Sequence, residues 1–565
     1  MNALKVLLLV FFALLMSNIA AAQSINPNNY PSADDKEWGQ LLWNLKLADQ
    51  DINDFTNYQS VDEQGVSACR YTIAFSSYFL AAEQYHKFPA WKEAISPAFD
   101  KLINRMLQKK VWGYWYSESP GVTKFEPKGD RPYTALKDPV GYRNIMYSGH
   151  LGMMINLYQM LYNDTKWDSP GSIVFNWDDN EKFVYDNKSL QEAMFKQLMT
   201  NPVPGIECEP NAIFPACNTH PMISWKLYDK MHGTSYFGQA QPKYDKWFET
   251  AFIDPDTKEL GGFYLIKQGW VFSQKNPKYG NTMDPVMAKM VEQGIDFSSA
   301  GNDGWTGTFT HSWNPKLIED LYPFLKKKHL TILPDGTAKL TNDVITPDVY
   351  YGFFTAFAAE LGDEETKNIL LKTLDDKFKP VWIDGTFHYP FDDKVGAINL
   401  AADDTHKDTT KEAPKKETTA LCCKTIKLKD QGDANNMKTF AQHSDLSDRM
   451  LALARALPKN GMFNMISNPF DEKHLTQPAI SGVDVKKVIL KRAIYDAEKK
   501  SLIVSTRGKN PGGISNIKII ILDPSKTYEL FVNKDTKEIF SGKTEFTVSI
   551  ETLESNDIIL QEIIK

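Results

Sequence analysis

The chain has 565 residues, with 64 Lys and Arg against 71 Asp and Glu for a formal net charge of −7. That length accommodates about two to four domains and a large core, and 42% hydrophobic with 12% aromatic residues excludes a disordered chain. Mild acidity speaks against the clustered basic face that nucleic-acid binding requires, and ordinary Gly and Pro counts, 32 and 30, exclude collagen-like and low-complexity chains.

The start carries Lys5, an apolar run from Val6 to Met16, and Ala20-Ala21-Ala22 before Gln23. A short basic start, an apolar stretch and an A-x-A site predict a secretory leader over residues 1–22, hence a periplasmic or secreted protein. The apolar run falls short of the ~20 residues of a membrane span, and no span is expected after cleavage. Residues 30–460 read as a helical domain. Leu151, Met154, Ile155, Tyr158, Leu161 and Tyr162 mark one buried helix face. Residues 163–190 read as a surface excursion. Pro221 reads as the start of a helix carrying Trp225, Tyr228 and Met231, with Gly233 as a left-handed stop. Phe353, Phe354, Phe357 and Leu361 repeat the helical period up to Gly362, and Ser444 caps a helix bearing Leu446, Met450 and Leu453 that Pro458 ends. A Lys-, Asp-, Glu- and Thr-rich stretch over about 400–440 reads as a charged insertion. From 477 to 565 the texture changes to short β-branched runs: Val485–Arg492, Ser501–Thr506, Ile517–Leu522, Tyr528–Val532 and Phe546–Ile550. Turn signals such as Asn510-Pro511-Gly512-Gly513 separate them, which predicts a small antiparallel sandwich-like domain.

Five cysteines, an odd number, leave at least one thiol outside any internal bridge. Cys422 and Cys423 are adjacent in charged sequence and make poor core staples. No P-loop, dinucleotide fingerprint, HExxH, EF-hand loop or GxSxG elbow is present, and no histidine has metal-ligand spacing. The sequence therefore points to no cofactor and no metal. Chemistry concentrates in Gly205–His220, where two Cys, two Glu, an Asn and a His share sixteen residues. A thiol there is a soft nucleophile or a proton donor tuned by neighbouring charge. The spacing equally allows a local disulfide or two buried free thiols. In Asn144-Ile-Met-Tyr-Ser-Gly-His150 the histidine can act as acid or base, or sit satisfied in the core.

Over roughly residues 60–330, and more loosely to 457, the chain resembles the linalool dehydratase/isomerase family. The resemblance rests on Arg70-Tyr-Thr-Ile-Ala-Phe75, Lys110-Val-Trp-Gly113, Asn144-Ile-Met-Tyr-Ser-Gly-His150, and Cys208-Glu-Pro followed by Cys217-Asn218. Tyr228-Asp-Lys-Met-His-Gly-Thr234 and Ile253-Asp-Pro255 with Gly262-Phe-Tyr264 complete it. It implies an (α/α)6 toroid whose closed central cavity dehydrates, hydrates or isomerises a small terpenoid-like allylic alcohol without a cofactor. The partner is then a small hydrophobic alcohol or alkene, and a homo-oligomer is compatible with it. Position by position, the resemblance makes His150, Cys208, Cys217 and the cavity tyrosine Tyr71 catalytic, and Met146 and Phe214 substrate contacts; Glu209 and Trp305 join the contact set. Departures stand beside it. Ungapped alignment puts Asn44 and Gln50 where the family has an aspartate and a tyrosine, so Asp54 (with Tyr58) supplies the catalytic carboxylate only through a shifted register. Gly301 replaces a third tyrosine, and Gln108 a disulfide cysteine. Two other readings compete. A glycoside hydrolase or polysaccharide lyase would draw carboxylates from Glu207, Glu209 and Asp303. A binding protein would keep the cavity without the chemistry.

Overall fold

Helix boundaries follow from local caps. The computed structural model describes residues 25–58, 69–121, 133–272, 300–341, 347–389, 445–510, 512–552 and 555–563. The leader, the charged insertion with Cys422 and Cys423, Ser444 and Pro511 lie outside the described residues. Helix α1 (Asp35–Ala48) opens on a capping box in which Asp34 and Glu37 satisfy each other's backbone donors. Next come α2 (Cys69–His86), α3 (Ile95–Met106), α4 (Ile145–Tyr162), and α5 (Asn187–Thr200), which Asp186 and Ser189 cap in the same way. Helix α6 (Pro215–His232) stops at Gly233, whose φ of +67° is the expected left-handed conformation. Helices α7 (Tyr236–Ala251), α8 (Ala300–Thr310), α9 (Pro315–His329), α10 (Pro347–Leu361), α11 (Glu364–Phe378) and α12 (Asp445–Ala456) follow.

The structure departs from the sequence reading at two places. Helix α6 begins at Pro215, not Pro221, because the earlier proline takes the first helical position where no amide donor is needed. Pro221 then lies inside the helix and removes the donor that the Cys217 carbonyl would use. The stretch 163–190 is not simply a surface excursion. It buries Trp167, its hairpin of Ile173–Asn176 against Lys182–Tyr185 buries Ile173 and Phe175, and α5 already starts at Asn187.

The even-numbered helices touch in a closed cycle: α2 against α4, α4 against α6, α6 against α8, α8 against α10, α10 against α12, and α12 back against α2. The odd-numbered helices pack outside them, each against one or more members of the cycle. Helix α4 is accordingly buried on every side from Ile145 to Leu161, which is why an amphipathic reading of it captures only one stripe. Beyond α12, Gly461–Ser467 forms a short helix against α2, α6 and α10. Its first amides donate to the buried Glu360 carboxylate (Met462 N 2.7 Å, Phe463 N 3.0 Å), which His311 also engages at 2.7 Å. That end of the cycle, where the helices finish, is thus closed. Among the described residues no helix is long and apolar enough to cross a membrane.

The C-terminal part is two antiparallel sheets. Strands β1 (Ala479–Ser481), β4 (Ile514–Ile520) and β7 (Phe546–Glu551) form one, in the order β1-β4-β7. Strands β2 (Val488–Asp496), β3 (Ser501–Gly508), β5 (Thr527–Val532), β6 (Asp535–Ser541) and β8 (Asn556–Ile563) form the other, in the order β2-β3-β8-β5-β6. Strand β1, polar β6 and β8 go beyond the strands read from sequence. Strand β3 is buried on both faces from Ser501 to Thr506, and Ile25 packs on Ile503, Phe531 and Ile559. The sheets dock where α2 ends: Ala90 N donates to Ala493 O, and Ala493 N to Lys87 O, both at 2.9 Å.

Candidate active site

The site lies at the opposite end, within about the first three turns of the central helices. Residues at matching depth on α2, α4, α6, α8 and α10 meet there, so these five helices run in one direction. Met146 and His150 face inward from α4, and His220 from α6. The two imidazoles lie face to face, with centroids 3.9 Å apart and planes tilted by 33°. Tyr78 OH is 2.8 Å from His150 Nδ1. Trp305 Nε1 donates to His220 Nε2 at 2.8 Å, and His220 Nδ1 is 3.3 Å from Met153 Sδ. Burial, then the neighbouring imidazole, then the Arg70 charge hold His150 well below the usual histidine range, and burial does the same for His220. Both rings are neutral at pH 7.

Aromatic edges wall this pair. Tyr71 sits 5.4 Å from both His150 and Trp305, and Phe75 packs edge-on to His150, Trp305 and Phe353. Trp305 lies parallel to Phe353 at 4.9 Å. Arg70, buried, stacks on Tyr71 at 4.4 Å and Tyr114 at 4.2 Å and donates to Met146 Sδ at 3.5 Å.

The thiols adjoin this layer. Cys217 precedes His220 by three residues on α6, which puts their Cβ atoms about 5–6 Å apart on one face. Cys208 sits in a tight turn, its amide donating to Ala212 O at 2.9 Å; Asn211 in that turn has φ +73°. Cys208 and Cys217 neighbour each other and are free thiols, not a disulfide. Burial, then the Cys217 thiol and the Glu209 charge push Cys208 well above the usual thiol range, against a lowering contact from the Phe214 amide. Tyr244, on outer helix α7, is buried; burial, Asp245 and both sulfurs push its hydroxyl up.

The remaining expected residues take defined places. Phe214 packs on Phe263 at 5.0 Å beside the thiol turn, and Glu209 is buried and paired by a β-bridge to Ala212. Glu207 accepts from Asn211 N at 2.8 Å and pairs with Arg143 at 3.2 Å. Asp303 is held by His329 at 2.6 Å. Asp54 stands in the turn after α1, its carboxylate accepting from Gln50 and from the Thr56 amide. The structure thus joins His150, Tyr71, Trp305 and Met146 in one layer and Cys208, Cys217, Glu209 and Phe214 beside it.

Phe75, Tyr78, Tyr244 and Phe353 complete the site and were not read as site residues from the sequence, where His220 stood only as a member of the Gly205–His220 cluster. Two signals pointed to them: the i, i+4, i+7 stripe Tyr71, Phe75, Tyr78, and the i, i+3 pair Cys217, His220. Tyr244 and Phe353 arrive only through tertiary packing.

Comparison with known proteins gives a sequence-family match described as linalool dehydratase/isomerase over residues 70–293 and 278–395. Among solved structures, a GH76 α-mannanase from Bacteroides thetaiotaomicron is 12% identical, covering 63% of this chain and 87% of its own at a TM-score of 0.36. An α-1,6-mannanase variant from Salegentibacter sp., solved with α-1,6-mannotriose, is 11% identical, covering 74% and 99% at a TM-score of 0.38.

Proposed function

Because the chain belongs to the linalool dehydratase/isomerase family, we propose that it is a cofactor-independent lyase or isomerase that removes water from, adds it to, or transposes the hydroxyl of a small allylic alcohol. We read the cycle of even-numbered helices and their outer partners as an (α/α)6 toroid with its site at the open end. The observation that carries the reading is a pair of free, buried thiols, with Cys217 one helical turn from His220, beside two neutral imidazoles in face contact. Cys208, held protonated at neutral pH by burial, suits proton donation to a leaving hydroxyl better than attack as a thiolate. In dehydration the C–O bond breaks, the thiol proton completes water, and the resulting thiolate removes a proton from the carbon next to the allyl system. Thiol and diene result, and the protons balance. Tyr71, Phe75 and Trp305 supply faces that stabilise developing positive charge, and Met146 and Phe214 shape the apolar part. His150 handles the substrate oxygen. Glu207 is paired with Arg143 and Asp303 is hydrogen-bonded to His329, which disfavours a two-carboxylate glycosidase. The leader-like start supports export.

The test is direct. Reduced, purified protein is incubated with linalool, geraniol and shorter allylic alcohols, and alkenes and isomeric alcohols are followed by gas chromatography. Formation of dienes or transposed alcohols is expected. Binding without any turnover across that panel would overturn the catalytic assignment in favour of a binding protein.

A further inference from the structure

We infer that Tyr78 and Trp305 lock the two stacked imidazoles in opposite tautomers, with the proton of His150 on Nε2 and that of His220 on Nδ1, so that His150 is a neutral hydrogen-bond donor. Which atoms can give a proton decides the two tautomers. An indole nitrogen is a donor only. His220 Nε2, 2.8 Å from Trp305 Nε1, must therefore be an acceptor, and its proton stands on Nδ1, facing Met153 Sδ at 3.3 Å. Tyr78 is fully buried, and the hydrogen bond described for its hydroxyl is the one to His150 Nδ1 at 2.8 Å. If His150 donated instead, the phenol proton would be left buried with no described acceptor, a loss of about 1–3 kcal/mol. The phenol therefore donates and Nδ1 accepts. The remaining proton sits on His150 Nε2, a fully buried atom with no hydrogen-bond partner among the described residues.

An unpaired buried N–H is costly unless a guest satisfies it. Given the reading above of an alcohol bound between thiols and imidazoles, the partner of Nε2–H is the substrate oxygen. His150 then orients the hydroxyl, and stabilises it as it departs, while the proton itself comes from a thiol. Tyr78 is a positioning residue that acts through His150, and Trp305 acts in the same way through His220.

The experiment uses the full chain labelled with 15N-histidine, free of substrate, at pH 7. His150→Asn and His220→Asn assign the resonances. The expected spectrum has pyridine-type Nδ1 and pyrrole-type Nε2 for His150, and the reverse for His220. A pyrrole-type Nδ1 on His150 in that assigned spectrum overturns the proposal, whether or not Tyr78→Phe folds. In Tyr78→Phe the single-tautomer pattern of His150 should be lost while that of His220 persists; an unchanged His150 pattern also overturns it. The spectra involve no turnover. Correct tautomers with no turnover would sink the proposed reaction and leave this inference standing; the wrong tautomers with turnover would do the opposite.

Discussion

Gly304 sets the distance between two central helices, and adding one methyl there tests that packing. A Cβ built on Gly304 would lie 2.7 Å from the Phe353 carbonyl carbon and 2.8 Å from both the Phe353 oxygen and the Phe354 nitrogen. All three are backbone atoms, so no rotamer change on α10 can relieve the clash and the helices must separate. Overpacking costs about 1–3 kcal/mol, and rigid backbone on the far side places this case at the upper end. Alanine returns about 1 kcal/mol of helix propensity, leaving Gly304→Ala destabilised by about 2 kcal/mol. The strain would also part Trp305, the next residue, from the Phe353 ring it stacks on at 4.9 Å. Urea unfolding followed by tryptophan fluorescence measures the loss. Gly233→Ala gives the comparison: its Cβ meets nothing within 4 Å, and its φ of +67° alone costs about 1–2 kcal/mol. A Gly304→Ala protein as stable as the wild type would refute the close approach of α8 and α10.

Acid should destabilise the closed end of the helical cycle. Burial lowers His86 and His474 from 6.5 to about 4 each. Between pH 6.5 and 4 the unfolded chain binds protons that the folded one refuses, so stability is full above 6.5 and falls as pH drops toward 4, by up to about 3 kcal/mol per histidine. Urea midpoints at pH 7 and pH 5 check this, and equal midpoints would contradict it. A mild oxidant should join Cys208 and Cys217, read as a mass loss of two hydrogens in the peptide pair, with turnover lost and then restored by dithiothreitol. Secreted material from an expression host should begin at Gln23, checked by N-terminal sequencing.

Much of the framework was legible where chemistry is local. Gly233 and Gly362 end helices because their positions need positive φ, and β-branched runs formed strands. The motif spacing around His150, Cys208 and Cys217 led to two adjoining clusters. Less legible were features whose cause lies far along the chain. Helix α4 is buried all round because it is surrounded, so one-face periodicity understated it. Strand β6 is mostly exposed and polar, and no apolar alternation marks it. His220 is hydrogen-bonded by Trp305, 85 residues away, and Tyr244 feels the thiols from an outer helix. Pro221 misled because proline marks a helix start only when no earlier proline occupies that role.

The central claim is that a buried, protonated thiol supplies the proton that expels the hydroxyl. Turnover of an allylic alcohol by Cys208→Ala, with circular dichroism matching the wild type, tests it most directly. Diene formation should fall at least about a hundredfold, in line with the loss of a general acid. Wild-type rates in Cys208→Ala would contradict it.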